Sequence, residues 1–226
     1  MDIGGLSVDA PLEKAPAQFH AGTALLLVDP QNAFLHPDGS MSQLGLPTER
    51  IHATLDILTS LLQEARAAGL PIFVLQMWVD DYDDAGLLME QFPPLRALKH
   101  CAADTWDAAF ADQISIAPAD TVIRHERFSG FHATELEAKL SAQGIDTLIL
   151  AGFATNAALE STARSAFDRD IHVYIPSEAT ASYTEEMEKA SLLNLSLGFA
   201  KIVPIESVLA GLRLTAKTST SPAPLG

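Results

Sequence analysis

Short apolar runs that alternate with helical patterns constrain the fold of this chain more than any other feature. The segment Thr23–Val28 is almost entirely apolar, which is typical of a strand buried on both faces of a sheet. Apolar residues then recur at three- and four-residue steps over 48–68, a spacing that predicts an amphipathic helix ending at Gly69. A strand followed by a helix is the repeating unit of parallel sheets.

The same alternation continues through the rest of the chain. The sequence predicts further strands over 71–75, 121–123, 147–151, 172–175 and 200–204, and further helices over 134–143, 156–168 and 184–198. Thr134 and Glu137 occupy the N-cap and capping-box positions of the first of these helices. Because helices join successive strands, we predict an α/β protein: a three-layer αβα fold with a mainly parallel, doubly wound sheet.

The two ends of the chain differ from its middle. Residues 1–20 and 214–226 are rich in Pro, Ala, Ser and Thr and show no periodicity. We therefore predict an N-terminal arm, one domain over 21–213 and a flexible C-terminal tail. No apolar stretch approaches the roughly 20 residues that cross a bilayer, and the first residues do not resemble a secretory signal. The sequence thus predicts a cytoplasmic protein.

The charge balance restricts the partners of the protein. The formal net charge is −15, with a pI near 4.6. Binding to nucleic acid or to an anionic membrane requires clustered Lys and Arg, so we predict neither partner. The single cysteine, Cys101, excludes an intrachain disulfide.

Polar residues follow two of the predicted strands, where reactive groups of such sheets gather. Asp29 follows the first strand, and burial there would raise its pKa toward neutrality and suit it to proton transfer. Alternatively, Asp29 and Asn32 cap a turn around Pro30. His125 follows another strand and is a candidate acid or base near neutral pH, although charges this close together, as over 124–127, are usually a solvated face.

A third segment, 151–163, runs from a strand through Gly152 and a turn of small residues into a helix. Such a turn directs backbone N–H groups and the positive end of the helix dipole toward one point, which suits an oxyanion. The alternative is that small residues only allow this helix to pack closely against the sheet.

Together the three segments resemble the isochorismatase-like (cysteine hydrolase) superfamily, and the resemblance covers about 23–206. The family pattern after the first strand, Asp-x-Gln-x-x-Phe, is matched by Asp29, Gln31 and Phe34. The second pattern, which includes Arg-[Phe/Tyr]-Ser-[Ala/Gly]-Phe, is matched by Arg127, Phe128, Ser129, Gly130, Phe131, Thr134 and Leu136. The third is matched by Gly152, Ala154, Thr155, Asn156, Ser161, Thr162 and Ala163.

The resemblance implies a catalytic triad of Asp, Lys and Cys, from which this chain departs twice. Asp29 is present, but His125 stands at the lysine position, with Arg124 beside it, and Ala158 stands at the cysteine position. An alanine methyl cannot attack a carbonyl, so we expect the thioester chemistry of the family's amidases to be absent. Cys101 lies where the family pattern has no catalytic position.

True isochorismatases also lack the cysteine, and the resemblance implies a route that needs no nucleophilic side chain. Asp29 would protonate a vinyl ether, and water would add to the resulting cation. His125 or Arg124 would hold a substrate carboxylate, and the N–H groups of Ala154 and Ala158 would bind oxygen atoms. The third segment, however, resembles the amidase branch, which favours a C–N bond.

We assign Asp29, His125 and the Ala158 position to catalysis and predict a small-molecule substrate. The predicted substrate-binding residues are Gln31, Phe34, Trp78, Arg124, Phe131, Phe153, Ala154 and Asn156. We predict no cofactor and no metal, because the stretch 76–80 lacks the histidine of the nicotinamidase pattern and His36 alone is not a metal site. The resemblance further implies a homodimer or homotetramer.

Three explanations of Ala158 remain open at this point. The chain is a natural hydrolase that works through Asp29 and His125, a non-catalytic relative that binds a small molecule, or an amidohydrolase whose cysteine was changed to alanine to trap substrate. An unchanged triad elsewhere would favour the trap, and His125 counts against it. A buried Asp29 would favour working chemistry, since an unpaired carboxylate costs stability.

Overall fold

A seven-stranded parallel sheet forms the centre of the protein in a computed structural model, which describes residues 2–3, 6–7 and 15–219. Its strands are β3 (Thr23–Val28), β4 (Ile72–Met77), β5 (Thr121–His125), β6 (Thr147–Phe153), β7 (His172–Pro176), β8 (Thr180–Ala181) and β9 (Lys201–Val203). The strand order is β5-β4-β3-β6-β7-β9, and β8 pairs with β6. A separate antiparallel pair consists of β1 (Asp2–Ile3) and β2 (Leu6–Ser7).

Ten α-helices lie in the described part of the chain. They are α1 (Asn32–Leu35), α2 (Ser40–Gln43), α3 (Glu49–His52), α4 (Leu55–Ala67), α5 (Leu87–Gln91), α6 (Pro93–Ala97), α7 (Leu136–Ala142), α8 (Glu160–Phe167), α9 (Glu185–Ser196) and α10 (Ile205–Ser219). A π-helical turn, Thr155–Leu159, leads into α8, and a short 3-10 turn, Ser177–Ala179, precedes β8.

The sheet is buried on both faces, as its apolar strands require. All six residues of β3 are buried, and they alternate between two cores because successive side chains of a strand point to opposite faces. Leu25 and Leu27 join the core that α4 and α10 cover, whereas Leu26 and Val28 join the core that α7 and α8 cover. The predicted αβα architecture is confirmed.

The connection order places a topological switch point beside β3. The chain moves from β3 to β4 and β5 on one side, then crosses to β6 and β7 on the other side. In open parallel sheets, ligands bind outside the carboxyl ends of the strands at such a point. Asp29 and the π-helical turn follow the two strands that flank it.

Two helix predictions need correction. The predicted helix over 48–68 is interrupted between α3 and α4, while Gly69 does adopt the left-handed conformation (φ 74°) that ends the second of them. The predicted capping box at Thr134 is wrong, because α7 begins two residues later. The Thr134 hydroxyl donates to the Gly130 carbonyl at 2.5 Å instead.

The chain ends also differ from their prediction. The backbone N–H of Ala17 donates to the carbonyl of Ser207 at 2.9 Å, and the ring of Phe19 contacts Tyr174 edge-on. The last part of the predicted arm therefore packs on the domain. The tail predicted from residue 214 begins too early, since α10 continues to Ser219; residues 220–226 lie outside the described part. Within that part, no helix is both long and apolar enough to span a membrane.

Candidate active site

Asp29 lies in a buried turn immediately after β3. Its side chain is about 1% exposed, and its backbone has a left-handed φ of 47°, a conformation that Asp adopts more readily than most residues. Backbone hydrogen bonds hold this turn. The N–H of Asp29 donates to the carbonyl of Leu75 in β4 at 3.2 Å, and the N–H of Gln31 donates to the Asp29 carbonyl at 2.8 Å. The carboxylate is thus fixed at the carboxyl edge of the sheet.

His125, the last residue of β5, is hydrogen bonded at both ring nitrogens. Nε2 lies 2.7 Å from Asp29 Oδ1, and Nδ1 lies 2.6 Å from the carbonyl oxygen of Arg127. A carbonyl only accepts hydrogen bonds, so Nδ1 must carry a proton. A second proton therefore lies between Nε2 and Asp29 Oδ1, and the pair as a whole has no net charge.

The protonation of this pair follows from its surroundings. Burial by itself lowers the pKa of His125, but the charge of Asp29 and the hydrogen bonds to Asp29 and to the Arg127 carbonyl outweigh it and raise the pKa above its ordinary value. The contact with Asp29 thus favours the imidazolium form of His125. The second carboxylate oxygen, Oδ2, has no hydrogen-bond partner among the residues that the structure describes.

An apolar cavity of about 250 Å³ opens beside the Asp29–His125 pair. It lies where four neighbouring strands end, since Asp29 follows β3, Met77 ends β4, His125 ends β5 and Ala154 follows β6. The remaining lining residues are Phe34, Met41, Leu44, Leu46, Leu88, Phe92, Leu95, His100, Phe128, Asn156, Ala157, Ala158 and Tyr183. Space next to a buried charged pair is suited to a small ligand.

The turn after β6 brings Ala158 to this cavity. A glycine is needed at position 152, near the end of β6, because its φ is 116° and a Cβ would meet the Val28 carbonyl oxygen at 2.1 Å. Beyond it, the Thr155 hydroxyl pairs with the Thr180 hydroxyl at 2.7 Å, and the side chain of Asn156 accepts a hydrogen bond from Ser182 at 2.9 Å. These contacts fix the π-helical turn whose residue Ala158 lines the cavity.

A second buried polar cluster, His100–Cys101–Asp107, adjoins the cavity. One potential metal-ligand atom from each residue lies within 4.8 Å of the others. Asp107 Oδ2 accepts hydrogen bonds from the Ser40 hydroxyl and the Cys101 N–H, each at 2.8 Å. Because the Ser40 proton goes to Asp107, His100 Nδ1 must donate to Ser40 Oγ, which lies 2.6 Å away.

The role of that cluster is structural. Burial lowers the pKa of His100 to about 4 and raises the pKa of the Cys101 thiol, so both groups are neutral at neutral pH. Both oxygens of Asp107 already accept hydrogen bonds from backbone N–H groups. A metal ion bound here would have to displace these hydrogen bonds. The cluster therefore serves to support the loop.

The structure gathers all three residues of the predicted catalytic set but only part of the predicted binding set. Asp29, His125 and Ala158 meet at one cavity, together with Phe34, Ala154 and Asn156. Five predicted binding residues do not line it: Gln31, Trp78, Arg124, Phe131 and Phe153.

Strand geometry explains why Arg124 is displaced. Neighbouring strand residues face opposite sides of the sheet, so the side chain that precedes His125 points away from the cavity. The Arg124 guanidinium lies 3.7 Å from the centre of the Trp78 ring, which it covers. Arg124 therefore does not line this cavity, and Trp78 packs against the arginine and within a third cluster of buried hydrophobic residues.

The other three residues serve the scaffold. The Gln31 side chain bridges the N–H and carbonyl of Met77 at 2.7 and 2.8 Å and also donates to the Ala108 carbonyl at 2.7 Å. Phe131 and Phe153 are buried in the two cores on either side of the sheet. Gln31 thus holds the end of β4 beside the turn that carries Asp29.

Two lining residues with polar side chains escaped sequence analysis. His100 lies in a loop before Cys101, and Tyr183 lies after β8, 20 residues beyond the end of the third motif. Neither belongs to a predicted strand end or to a quoted family pattern. The only available signal was that Tyr183 precedes Thr184, the N-cap of α9, whose hydroxyl accepts from the Met187 N–H at 3.3 Å.

Comparison with known proteins agrees with this geometry. The family model described as isochorismatase domain matches residues 23–207. Ureidoacrylate amidohydrolase RutB of Methylobacterium radiotolerans is 31% identical over 206 residues, which cover 84% of this chain and 80% of the relative.

Solved structures show the same fold. A cysteine hydrolase from Pseudomonas syringae pv. phaseolicola is 24% identical, with a TM-score of 0.81 over 92% of this chain and 99% of that chain. An isochorismatase family protein from Desulfovibrio vulgaris is 25% identical, with a TM-score of 0.72 over 82% and 95% of the two chains. The chain therefore belongs to the isochorismatase family of hydrolases, within the isochorismatase-like superfamily.

Proposed function

We propose that the protein hydrolyses a C–N bond of a small molecule, with a water molecule in place of a nucleophilic thiol and the Asp29–His125 pair as the proton-transfer group. The observation that carries the proposal is the arrangement of Asp29: Oδ1 is bound to His125 Nε2 at 2.7 Å, while Oδ2 has no partner within the described residues and Asp29 lines the cavity. A similar C–N reaction is named for the amidohydrolase relative.

In the proposed reaction Asp29 Oδ2 takes up a proton and then returns it, while Oδ1 stays bound to His125. Oδ2 accepts a proton from a water molecule as the water oxygen adds to the substrate carbonyl carbon, which gives a tetrahedral intermediate. The proton then passes from Asp29 to the substrate nitrogen, and the C–N bond breaks to release the amine and the acid. His125 remains an imidazolium throughout and stabilises the carboxylate form of Asp29.

Ala158 supports a route through water. Its methyl group lines the same cavity as Asp29 and cannot form a covalent intermediate. Because the side chain of alanine is smaller than that of cysteine, it leaves room at this position for a water molecule. The buried thiol of Cys101 does not replace a nucleophile at Ala158, because burial raises the pKa of Cys101 and its side chain does not line the cavity.

The test is a substrate panel assayed with the wild-type protein and with Asp29→Asn. The panel contains ureidoacrylate, simple N-carbamoyl compounds, primary amides and the enol ether isochorismate. We expect turnover of at least one C–N substrate and a loss of about 10²- to 10⁴-fold in Asp29→Asn, the usual contribution of a general acid–base group. Equal turnover by the two proteins would contradict the proposal.

The same panel separates the alternatives. Turnover of isochorismate alone, dependent on Asp29, would replace the C–N reaction by vinyl-ether cleavage. Binding of panel compounds without any turnover, unaffected by Asp29→Asn, would identify a binding protein. A trap variant would be revealed by Ala158→Cys, because a restored thiol would raise amide turnover by roughly 10²-fold or more and form a thioester detectable by mass spectrometry.

A further inference from the structure

The wall of the active-site cavity, as far as the structure describes it, has no unpaired positively charged side chain to receive an anion. None of the lining residues among those described is a lysine or an arginine. The two charges that reach it, those of Asp29 and His125, belong to one ion pair at 2.7 Å and offset each other. His100 is neutral, since burial lowers its pKa to about 4.

Most polar atoms around the cavity are already committed. Asn156 Oδ1 accepts from the Ser182 hydroxyl at 2.9 Å, and His100 Nδ1 bonds to Ser40 at 2.6 Å. The rest of the wall is apolar, including Phe92 and Phe128, which are half exposed at its edge. A carboxylate that entered this space would lose its hydration without gaining a cation, which is strongly unfavourable.

Apart from Asp29 Oδ2, the exception is the hydroxyl of Tyr183. Tyr183 lines the cavity and is 7% exposed, and its Oη is buried without a hydrogen-bond partner in the described part of the chain. Burial, together with the nearby Cys101 and Asp29, raises the pKa of Tyr183, so the group keeps its proton and is a donor. Buried hydroxyls in proteins normally have a partner, because an unpaired one destabilises the fold.

We infer that the substrate of this cavity is an uncharged, largely apolar compound whose oxygen atom accepts a hydrogen bond from Tyr183 Oη. This inference rests on the proposed function, because it concerns the substrate of the same site. Tyr183 is then a specificity-determining residue that orients the substrate oxygen near Asp29, while the apolar wall excludes carboxylates. The substrate oxygen supplies the partner that the hydroxyl lacks in the free protein.

The test measures equilibrium binding of three probes of similar shape by calorimetry at about pH 7.5: acetophenone, benzoate and ethylbenzene. Acetophenone has an acceptor oxygen but no hydrolysable bond, so its binding does not depend on turnover. We expect acetophenone to bind at least about tenfold more tightly than benzoate. Tyr183→Phe should weaken acetophenone binding roughly 2- to 12-fold, the usual net effect of one hydrogen bond, and leave ethylbenzene binding unchanged.

Tyr82→Phe is the matched control. The Tyr82 hydroxyl donates to the His100 carbonyl at 2.7 Å, and Tyr82 does not line the cavity. We expect Tyr82→Phe to lower the melting temperature without changing the preference among the three probes. Tyr183→Phe should keep or raise the melting temperature, since the hydroxyl that it removes has no partner.

Each outcome bears on a different part of the inference. Benzoate binding as tight as acetophenone binding, or no acetophenone binding at millimolar concentration, would overturn the substrate class. Equal weakening of acetophenone and ethylbenzene by Tyr183→Phe, or weakening of neither, would overturn the role of Tyr183. Failure of the hydrolase proposal would appear separately, as absent turnover of the substrate panel while these binding preferences persist.

Discussion

Two buried clusters in this protein each combine a histidine with a carboxylate, and they differ in what they leave unpaired. In the first, Asp29 Oδ1 binds His125 directly at 2.7 Å and Oδ2 has no protein partner. In the second, Ser40 separates Asp107 from His100, and both oxygens of Asp107 accept hydrogen bonds. The first can therefore exchange a proton with a ligand, whereas the second holds a loop in place.

The two histidines show the same contrast in their pKa values. The direct contact with Asp29 raises the pKa of His125, whereas burial without such a contact lowers the pKa of His100 to about 4. Burial is similar at both sites, so the position of the carboxylate decides the charge. Burial and residue type alone would not distinguish a catalytic pair from a structural one.

The largest expected effect separates the clusters by activity. His125→Gln preserves a hydrogen-bond donor toward Asp29 but removes the imidazolium charge, so we expect kcat/KM to fall by about 10²- to 10⁴-fold. Asp107→Asn, in the structural cluster, should change kcat/KM of the folded protein by less than about fivefold. Steady-state kinetics on a substrate identified from the panel measures both values. Similar losses in the two variants would remove the distinction.

The second prediction reverses the comparison in stability. Asp107→Ala removes the acceptor for Ser40 and for the Cys101 N–H, so we expect the free energy of unfolding to fall by about 3 kcal/mol. Asp29→Asn should lower it by only about 1 kcal/mol, because Asn can still donate to Nε2 of a neutral His125. Urea denaturation followed by circular dichroism gives both numbers, and a larger loss in Asp29→Asn would contradict the assignment.

The third and smallest effect is a difference in pH dependence. His100 binds a proton near pH 4 in the folded protein but near about 6.5 when unfolded. The unfolded chain thus holds more protons between these values, and stability falls as the pH falls through this window. The pKa of His125 is raised, so its contribution is fully present below about pH 6.5 and is lost as the pH rises through the folded-state pKa.

Variants of the two histidines test these opposite signs. We expect His100→Gln to reduce the loss of unfolding free energy between about pH 6.5 and pH 5, and His125→Gln to leave that acid-side loss in place. Urea denaturation at several pH values measures the slopes. An unchanged acid-side slope in His100→Gln would show that another group causes it.

Sequence reasoning located the strands and predicted that the three proposed catalytic residues lie together, because both depend on local signals. Apolar runs marked the strands, and the carboxyl ends of those strands brought Asp29, His125 and Ala158 to one cavity. Arg124, which we also predicted to bind substrate, lies outside the cavity, because the strand position before His125 faces the opposite side of the sheet.

The remaining wall of the cavity depends on tertiary packing. His100 enters it from a loop, and Tyr183 enters it from the second position after the two-residue strand β8. Whether the Tyr183 hydroxyl finds a partner is settled by side chains distant in sequence, which periodicity and spacing do not describe. The same reason kept the Ser40–Asp107 hydrogen bonds from being predicted.

A carboxylate–imidazolium pair in which Asp29 and His125 share a proton underlies the proposed reaction. Nitrogen-15 NMR of the full-length protein at about pH 7.5, with His125 assigned by comparison with His125→Gln, measures this protonation state. We expect protonation of both ring nitrogens of His125 in the wild-type protein and a neutral ring in Asp29→Asn. A neutral His125 in the wild type, unchanged by Asp29→Asn, would contradict it.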